Sequence, residues 1–123
     1  MNSELSKFNF RIVHVGVNCA DETEAIEGVR FMEMFFGLPE NPDKRSLDSL
    51  YTGTTVEWLT KPGRGKHGHL AIATNDLEGA QAFLEEKGLT FDPDSRKYTD
   101  DGRVLVIYAE QDIAGFAVHL LQE

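Results

Sequence analysis

The sequence predicts an α+β fold: two β-α-β-β modules, each with one further strand, joined side by side. Together they form a curved eight-stranded sheet with helices outside and a concave cleft within. Three observations predict it. First, His14-Val-Gly-Val-Asn leads through Asp21 into a helix-like run, and 55 residues on His69-Leu-Ala-Ile-Ala leads through Asp76 into another. Each Asp stands seven residues after its histidine, and each following Ala (Ala25, Ala80) eleven after. Second, the module ends echo each other, Thr55-Val56-Glu57-Trp58-Leu59 against Ala117-Val118-His119-Leu120-Leu121. Third, the segments around these histidines alternate with period two, while those after the aspartates repeat every three to four residues. Internal repetition of this kind marks a duplicated supersecondary unit. At 123 residues the chain reads as one domain, 1–123, with repeats at about 10–60 and 67–123 and a linker at 61–66.

The elements follow in order. Met1 to Asn9 is polar and reads as a loose lead-in. Phe10 to Val17 alternates, with Val13, Val15 and Val17 on one face and Ile12, His14 and Gly16 on the other. Asp21 caps the next helix, with Glu24 completing a capping box. Ala25, Val29, Met32 and Phe36 form its buried stripe, and Gly37 and Pro39 stop it. Ser46–Tyr51 and Thr54–Thr60 read as a hairpin around Gly53. Lys61-Pro-Gly-Arg-Gly-Lys66 is too glycine-rich for an element. His67–Thr74 is a strand. Asp76 caps a helix with Ala80, Phe83 and Leu84 inward and Gly88 past its end. Leu89–Phe91 is a candidate short strand. Asp101-Gly102 turns a hairpin joining Arg96–Thr99 to Arg103–Ala109, and Phe116–Leu121 is the last strand.

Composition excludes several classes. Twelve basic against 21 acidic side chains give a net charge of −9, which disfavours nucleic acid and anionic membrane as partners. No apolar run approaches the length of a membrane span. The single cysteine, Cys19, allows no internal disulfide and fits a reducing, cytoplasmic setting. Lys61, Arg64 and Lys66, gathered before His69, are a local basic patch suited to a small anionic substrate.

The repeat places a metal-ligand type of side chain at matching positions four times: His14, Glu57, His69 and His119. Neighbours in a strand face opposite ways. Each of the four is flanked by apolar or small residues, so apolar faces packed on helices would turn all four into the concave side. Three imidazoles and a carboxylate suit a divalent transition metal such as Zn, Ni, Mn or Fe. Two open positions would remain for adjacent substrate oxygens, with the metal acting as a Lewis acid. His67 shares a face with His69 and reads as rim.

On these residues the chain resembles the vicinal-oxygen-chelate superfamily, and glyoxalase I-type members most. The markers are Val13-His14-Val-Gly-Val, Phe36-Gly37-Leu38, Val56-Glu57, Gly68-His69-Leu-Ala-Ile and Gly115-Phe-Ala-Val-His119-Leu. The resemblance implies the paired-module fold, metal ligation by His14, Glu57, His69 and His119, and a homodimer. Glyoxalase I has its proton-transferring glutamate where this chain has His119, so the catalytic carboxylate is expected to be Glu57. The likeness extends to small domains found beside bacterial keto-hydroxyglutarate and keto-deoxy-phosphogluconate aldolases, through the glycine-rich run before His69, the Lys97-Tyr98 pair and the Gly-Phe-Ala-Val-His-Leu ending. It implies a 2-oxo or 2-hydroxy sugar acid as ligand, handled by a lyase or isomerase or held by an accessory binding module. Lys61, Arg64, Lys66, Lys97 and Tyr98 are the expected substrate contacts. Aldolase chemistry itself needs a Schiff-base lysine in a (β/α)₈ barrel, for which 123 residues leave no room.

Overall fold

The computed structural model describes residues 3–123. A short helix α1 (Ser3–Ser6) precedes the first module, which comprises β1 (Arg11–Asn18), α2 (Glu22–Phe36), β2 (Ser49–Thr52) and β3 (Val56–Leu59). The second comprises β4 (Gly68–Thr74), α3 (Leu77–Glu86), β5 (Lys97–Tyr98), β6 (Val104–Tyr108) and β7 (Phe116–Gln122). One curled sheet runs in the order β2-β3-β1-β4-β7-β6-β5. β3 lies parallel to β1, and β7 parallel to β4. β1 and β4 meet antiparallel at the centre, so the two modules are related by a pseudo-twofold axis between them.

Local chemistry accounts for the elements. The Asp21 carboxylate accepts the Glu24 N–H at 2.9 Å, while the Glu24 carboxylate reaches back to the Ala20 N–H at 3.0 Å. Gly37 ends α2 at φ 66°, a left-handed turn that glycine adopts without a Cβ penalty. Asp76 caps α3 by accepting from Gly79 N–H at 3.1 Å.

The helices cover the outer side of the sheet over two apolar clusters. Beneath α2 lie Ala25, Val29 and Leu50, with Trp58 against them. Beneath α3 lie Leu77, Ala80, Ile107, Leu120 and Phe8.

Three expectations are corrected here. The sheet has seven strands rather than eight among the described residues. Where the second module forms β5, the first makes a turn in which the Ser46 hydroxyl accepts the N–H groups of Asp48 and Ser49. A serine that captures backbone donors in this way competes with strand pairing. In the described part of the lead-in, 3–9, the chain is not loose, because Phe8 is 4% exposed and stacks near Phe10 and Phe83; Met1 and Asn2 lie outside the described residues. Phe36 is not in the buried stripe of α2; it is 63% exposed, in an apolar outer patch with Phe31, Met34 and Phe35. No helix is long and apolar enough to cross a membrane among the described residues.

Candidate metal centre

The inner side of the sheet is set by pairing across the two central strands. Gly16 on β1 is opposite Glu57 on β3 and His69 on β4. Ala71 on β4 is opposite His14 on β1 and His119 on β7. Each donor pair therefore straddles a small residue on the strand between them. At Gly16 the space is fully used: a Cβ there would lie 2.0 Å from the His69 ring. A bulge between Ile12 and His14 resets the start of β1, so that His14 falls into register with Ala71.

The result is a compact cluster within one chain. His14 Nε2 and His69 Nε2 are 3.2 Å apart. Glu57 Oε1 is 3.5 Å from His14 Nε2 and 3.1 Å from His69 Nε2. Ligand atoms of His14, His69 and His119 all lie within 4.8 Å of one another. An ion with bonds of about 2.1 Å separates adjacent donors by roughly 3.0–3.4 Å, so the observed gaps resemble the edges of a coordination polyhedron. Two imidazole nitrogens and a carboxylate oxygen meeting at one point also make a donor set that a cation would satisfy. The residues present thus fit a divalent metal.

The surroundings fix the donors. Ser49, buried beside β3, donates its hydroxyl to Glu57 Oε2 at 2.8 Å. His119 Nδ1 sits 3.1 Å from the Leu120 carbonyl, which accepts its proton and leaves Nε2 with a free lone pair in the neutral ring. Tyr51 and Tyr108 stand at equivalent places, opposite Glu57 and His119 respectively, with ring centroids 5.8 Å from His14 and 4.8 Å from His119.

The electrostatics follow from this packing. Burial alone would raise the Glu57 carboxyl, but hydrogen bonds from His14, His69 and Ser49 outweigh it and hold the group well below the usual carboxylate range. Burial lowers His119 to about 4, which keeps it neutral and able to ligate. Burial, and then the Glu57 charge, push Tyr108 up to about 12, and the same causes raise Tyr51. Both phenols therefore stay protonated and available as hydrogen-bond donors.

A cavity of about 670 Å³ opens over the cluster, lined by His14, Glu57, His69, His119 and both tyrosines. Of the expected substrate contacts, Lys61 and Lys97 line it. Arg64 lies over the Tyr108 ring at 5.0 Å and pairs with Asp92 at 2.7 Å, in an adjoining pocket. Lys66 is exposed in the linker and, among the described residues, lines neither the cavity nor the adjoining pocket. Tyr98 lies in another pocket, beside Glu78 and Gln81 of α3. His67 packs on Phe116, apart from the cluster.

Lys44 and Ser49 escaped the sequence reading. A second repeat would have led to the turn that carries Lys44, while Ser49 has no counterpart serine in the second module. Asn41-Pro42-Asp43 and Asp92-Pro93-Asp94 form equivalent 3₁₀ turns, each capped by its first side chain. Each then hydrogen-bonds through its first N–H to the tyrosine carbonyl facing the site, Tyr51 or Tyr108.

The fold is that of the vicinal-oxygen-chelate proteins: a mixed α+β architecture around a curled half-barrel sheet. Among solved structures, the chain is similar to a hypothetical protein from Bacillus halodurans, with a TM-score of 0.61, 17% identity and coverage of 93% of this chain and 94% of that one. It is also similar to a variant of Streptomyces coelicolor methylmalonyl-CoA epimerase in complex with 2-nitronate-propionyl-CoA, with a TM-score of 0.60, 17% identity and coverage of 92% and 96%. Mycobacterium tuberculosis methylmalonyl-CoA epimerase matches with a TM-score of 0.58, 15% identity and coverage of 90% and 86%. No family model and no curated protein matches the sequence.

Proposed function

We propose that this chain is a glyoxalase-like metalloenzyme, a lyase or isomerase for a small 2-oxo or 2-hydroxy acid. Its divalent ion would be held by His14, Glu57, His69 and His119. The observation that carries this reading is the meeting of the His14, Glu57 and His69 donors at 3.1–3.5 Å over Gly16. Bound there, a divalent ion supplies Lewis-acid stabilisation for two adjacent substrate oxygens. Tyr51 and Tyr108, kept protonated by their surroundings, would donate hydrogen bonds to the substrate. Glu57 is the one carboxylate paired with the imidazoles among the described residues, and it would move the proton. The methylmalonyl-CoA epimerases of the same fold support isomerase chemistry in this architecture. A homodimer belongs to this reading, and sedimentation of the purified protein tests it.

Metal analysis of the purified protein decides the central point. Stoichiometric Zn, Ni, Mn or Fe, lost in His14→Ala and His69→Ala, is the expected result. A protein that takes up no divalent metal overturns the reading. Glu57→Gln that keeps both metal and full turnover would remove Glu57 as the base. A second reading is a non-catalytic sugar-acid-binding module accessory to an aldolase of the keto-deoxy-phosphogluconate type. The imidazole of His119 at the position of a proton-transferring glutamate favours it. Sugar-acid binding without solvent deuterium exchange into the ligand would establish that alternative.

A further inference from the structure

Resting on the chelating role just described, we propose that the cleft takes a ligand with two anionic ends. One end is the 2-oxo or 2-hydroxy carboxylate at the metal cluster. The other is a phosphate-type group held at the rim by Lys44, Lys61 and Lys97. The inference starts from where the positive charge lies. The chain carries 21 acidic against 12 basic side chains, yet these three lysines line the same cavity as the four donors. They come from separate segments: the 3₁₀ turn Pro42–Lys44, the linker after β3, and β5. β2 and β5 are the two edges of the curled sheet, so Lys44, beside β2, and Lys97, on β5, reach one cavity from its two edges.

These lysines have no acidic partner among the described residues, whereas Arg11, Arg45 and Arg64 are each paired with a carboxylate. Lys44 instead lies 4.8 Å over the Tyr51 ring, which brings its ammonium to the wall of the site. Of the cavity's two carboxylates, Glu57 is already engaged by His14, His69 and Ser49, and Asp48 is the other. A simple 2-hydroxy acid brings one charge, which goes to the metal end and leaves the lysines uncompensated. A phosphate monoester carries close to two further charges at neutral pH. The field of like charges around a concave, low-dielectric wall is focused into the cleft. A volume of about 670 Å³ also exceeds what a bare three-carbon acid fills.

The test uses three probes on the full chain: glycerate (one anionic end), malate (two carboxylates) and 3-phosphoglycerate (carboxylate and phosphate). Each is titrated calorimetrically into metal-loaded and metal-free protein. Binding of 3-phosphoglycerate at least tenfold tighter than glycerate supports the proposal. So does a loss of roughly tenfold in that affinity in Lys44→Met, Lys61→Met or Lys97→Met, with glycerate unchanged. Malate matching 3-phosphoglycerate overturns the phosphate assignment, because a second carboxylate would then satisfy the lysines equally well. Equal affinities for glycerate and 3-phosphoglycerate, or lysine variants that weaken all three probes alike, overturn it. The two claims fail separately. Loss of the chelating role shows as glycerate binding that is indifferent to metal, while the lysine-dependent gap between the probes is measured in the metal-free protein as well.

Discussion

In the first module Trp58 lies against α2 at Gly28, where a Cβ would come within 2.5 Å of the indole. In the second, Leu120 stands at the place of Trp58 and Phe83 at that of Gly28, and Phe8 from the lead-in fills the remaining space. The inner side shows the opposite behaviour. There both modules keep a histidine two residues before a small residue, His14 before Gly16 and His69 before Ala71, with a donor from the neighbouring parallel strand, Glu57 or His119, on the same small residue. The helix side needs only a conserved total volume, which several combinations of large and small side chains supply. The donor side needs atoms at fixed separations, which few combinations supply.

That contrast is tested first on the helix side, where the largest loss of stability is expected. Phe8→Ala should cost about 3–5 kcal/mol, as for other fully buried phenylalanines, measured by urea unfolding. Gly28→Ala should cost about 1–3 kcal/mol by overpacking against Trp58. If Phe8→Ala were neutral, the lead-in would not be part of the second core. On the donor side, Gly16→Ala should drive the His69 ring off its position and lower metal affinity roughly a hundredfold, as loss of ligand orientation does elsewhere. Competition with a chromophoric chelator reads this directly. Ala71→Gly removes atoms rather than adding them and should leave metal affinity within a few-fold, at a stability cost of about 1 kcal/mol.

A smaller asymmetry lies between the two support contacts. Glu57 is steadied by the Ser49 hydroxyl, whereas the residue equivalent to Ser49 in the second module is Val106, and His119 is steadied by a backbone carbonyl. Ser49→Ala should therefore weaken metal binding by about ten- to a hundredfold, with Ser49→Thr restoring most of it. Val106→Ala, although buried, should lower stability without a comparable change in metal affinity.

The comparison also explains what was legible in the sequence. The helix caps, the paired histidines and the echo of Val56–Leu59 in Val118–Leu121 are local patterns, so the modules, and the shared inner face of His14, Glu57, His69 and His119, could be read without coordinates. Phe8 could not, because its partners Phe83 and Ile107 lie 75 and more residues away and its own neighbours, Lys7 and Asn9, are polar. Phe36 has the right period but is the final residue of α2, where it is exposed while Ala25 and Val29 earlier in the helix are buried. Lys44 was passed over because a charged residue in a polar loop has no periodicity to report. Contacts with β2 fold that loop back, among them the hydrogen bond from Asn41 N–H to the Tyr51 carbonyl and the bridge between Glu40 and Thr52.

The smallest expected effect separates two adjacent residues, Lys97 and Tyr98, which the sequence grouped as one contact pair. Across the register shift between them, Lys97 lines the cavity with the His14, Glu57, His69 and His119 cluster, while Tyr98 lies in another pocket, against Glu78 and Gln81 of α3, where it is 58% exposed. A tyrosine that exposed loses little on truncation, so Tyr98→Ala should change stability by less than about 1 kcal/mol. It should leave metal content and the affinity of any cleft ligand at wild-type values. Lys97→Met, one residue earlier, should weaken anionic ligands while unfolding at the same urea concentration. If Tyr98→Ala weakened ligand binding as strongly as Lys97→Met, the irregularity that skips Leu105 in the pairing of β5 with β6 would have to lie elsewhere, because a one-residue slip exchanges the two faces of a strand.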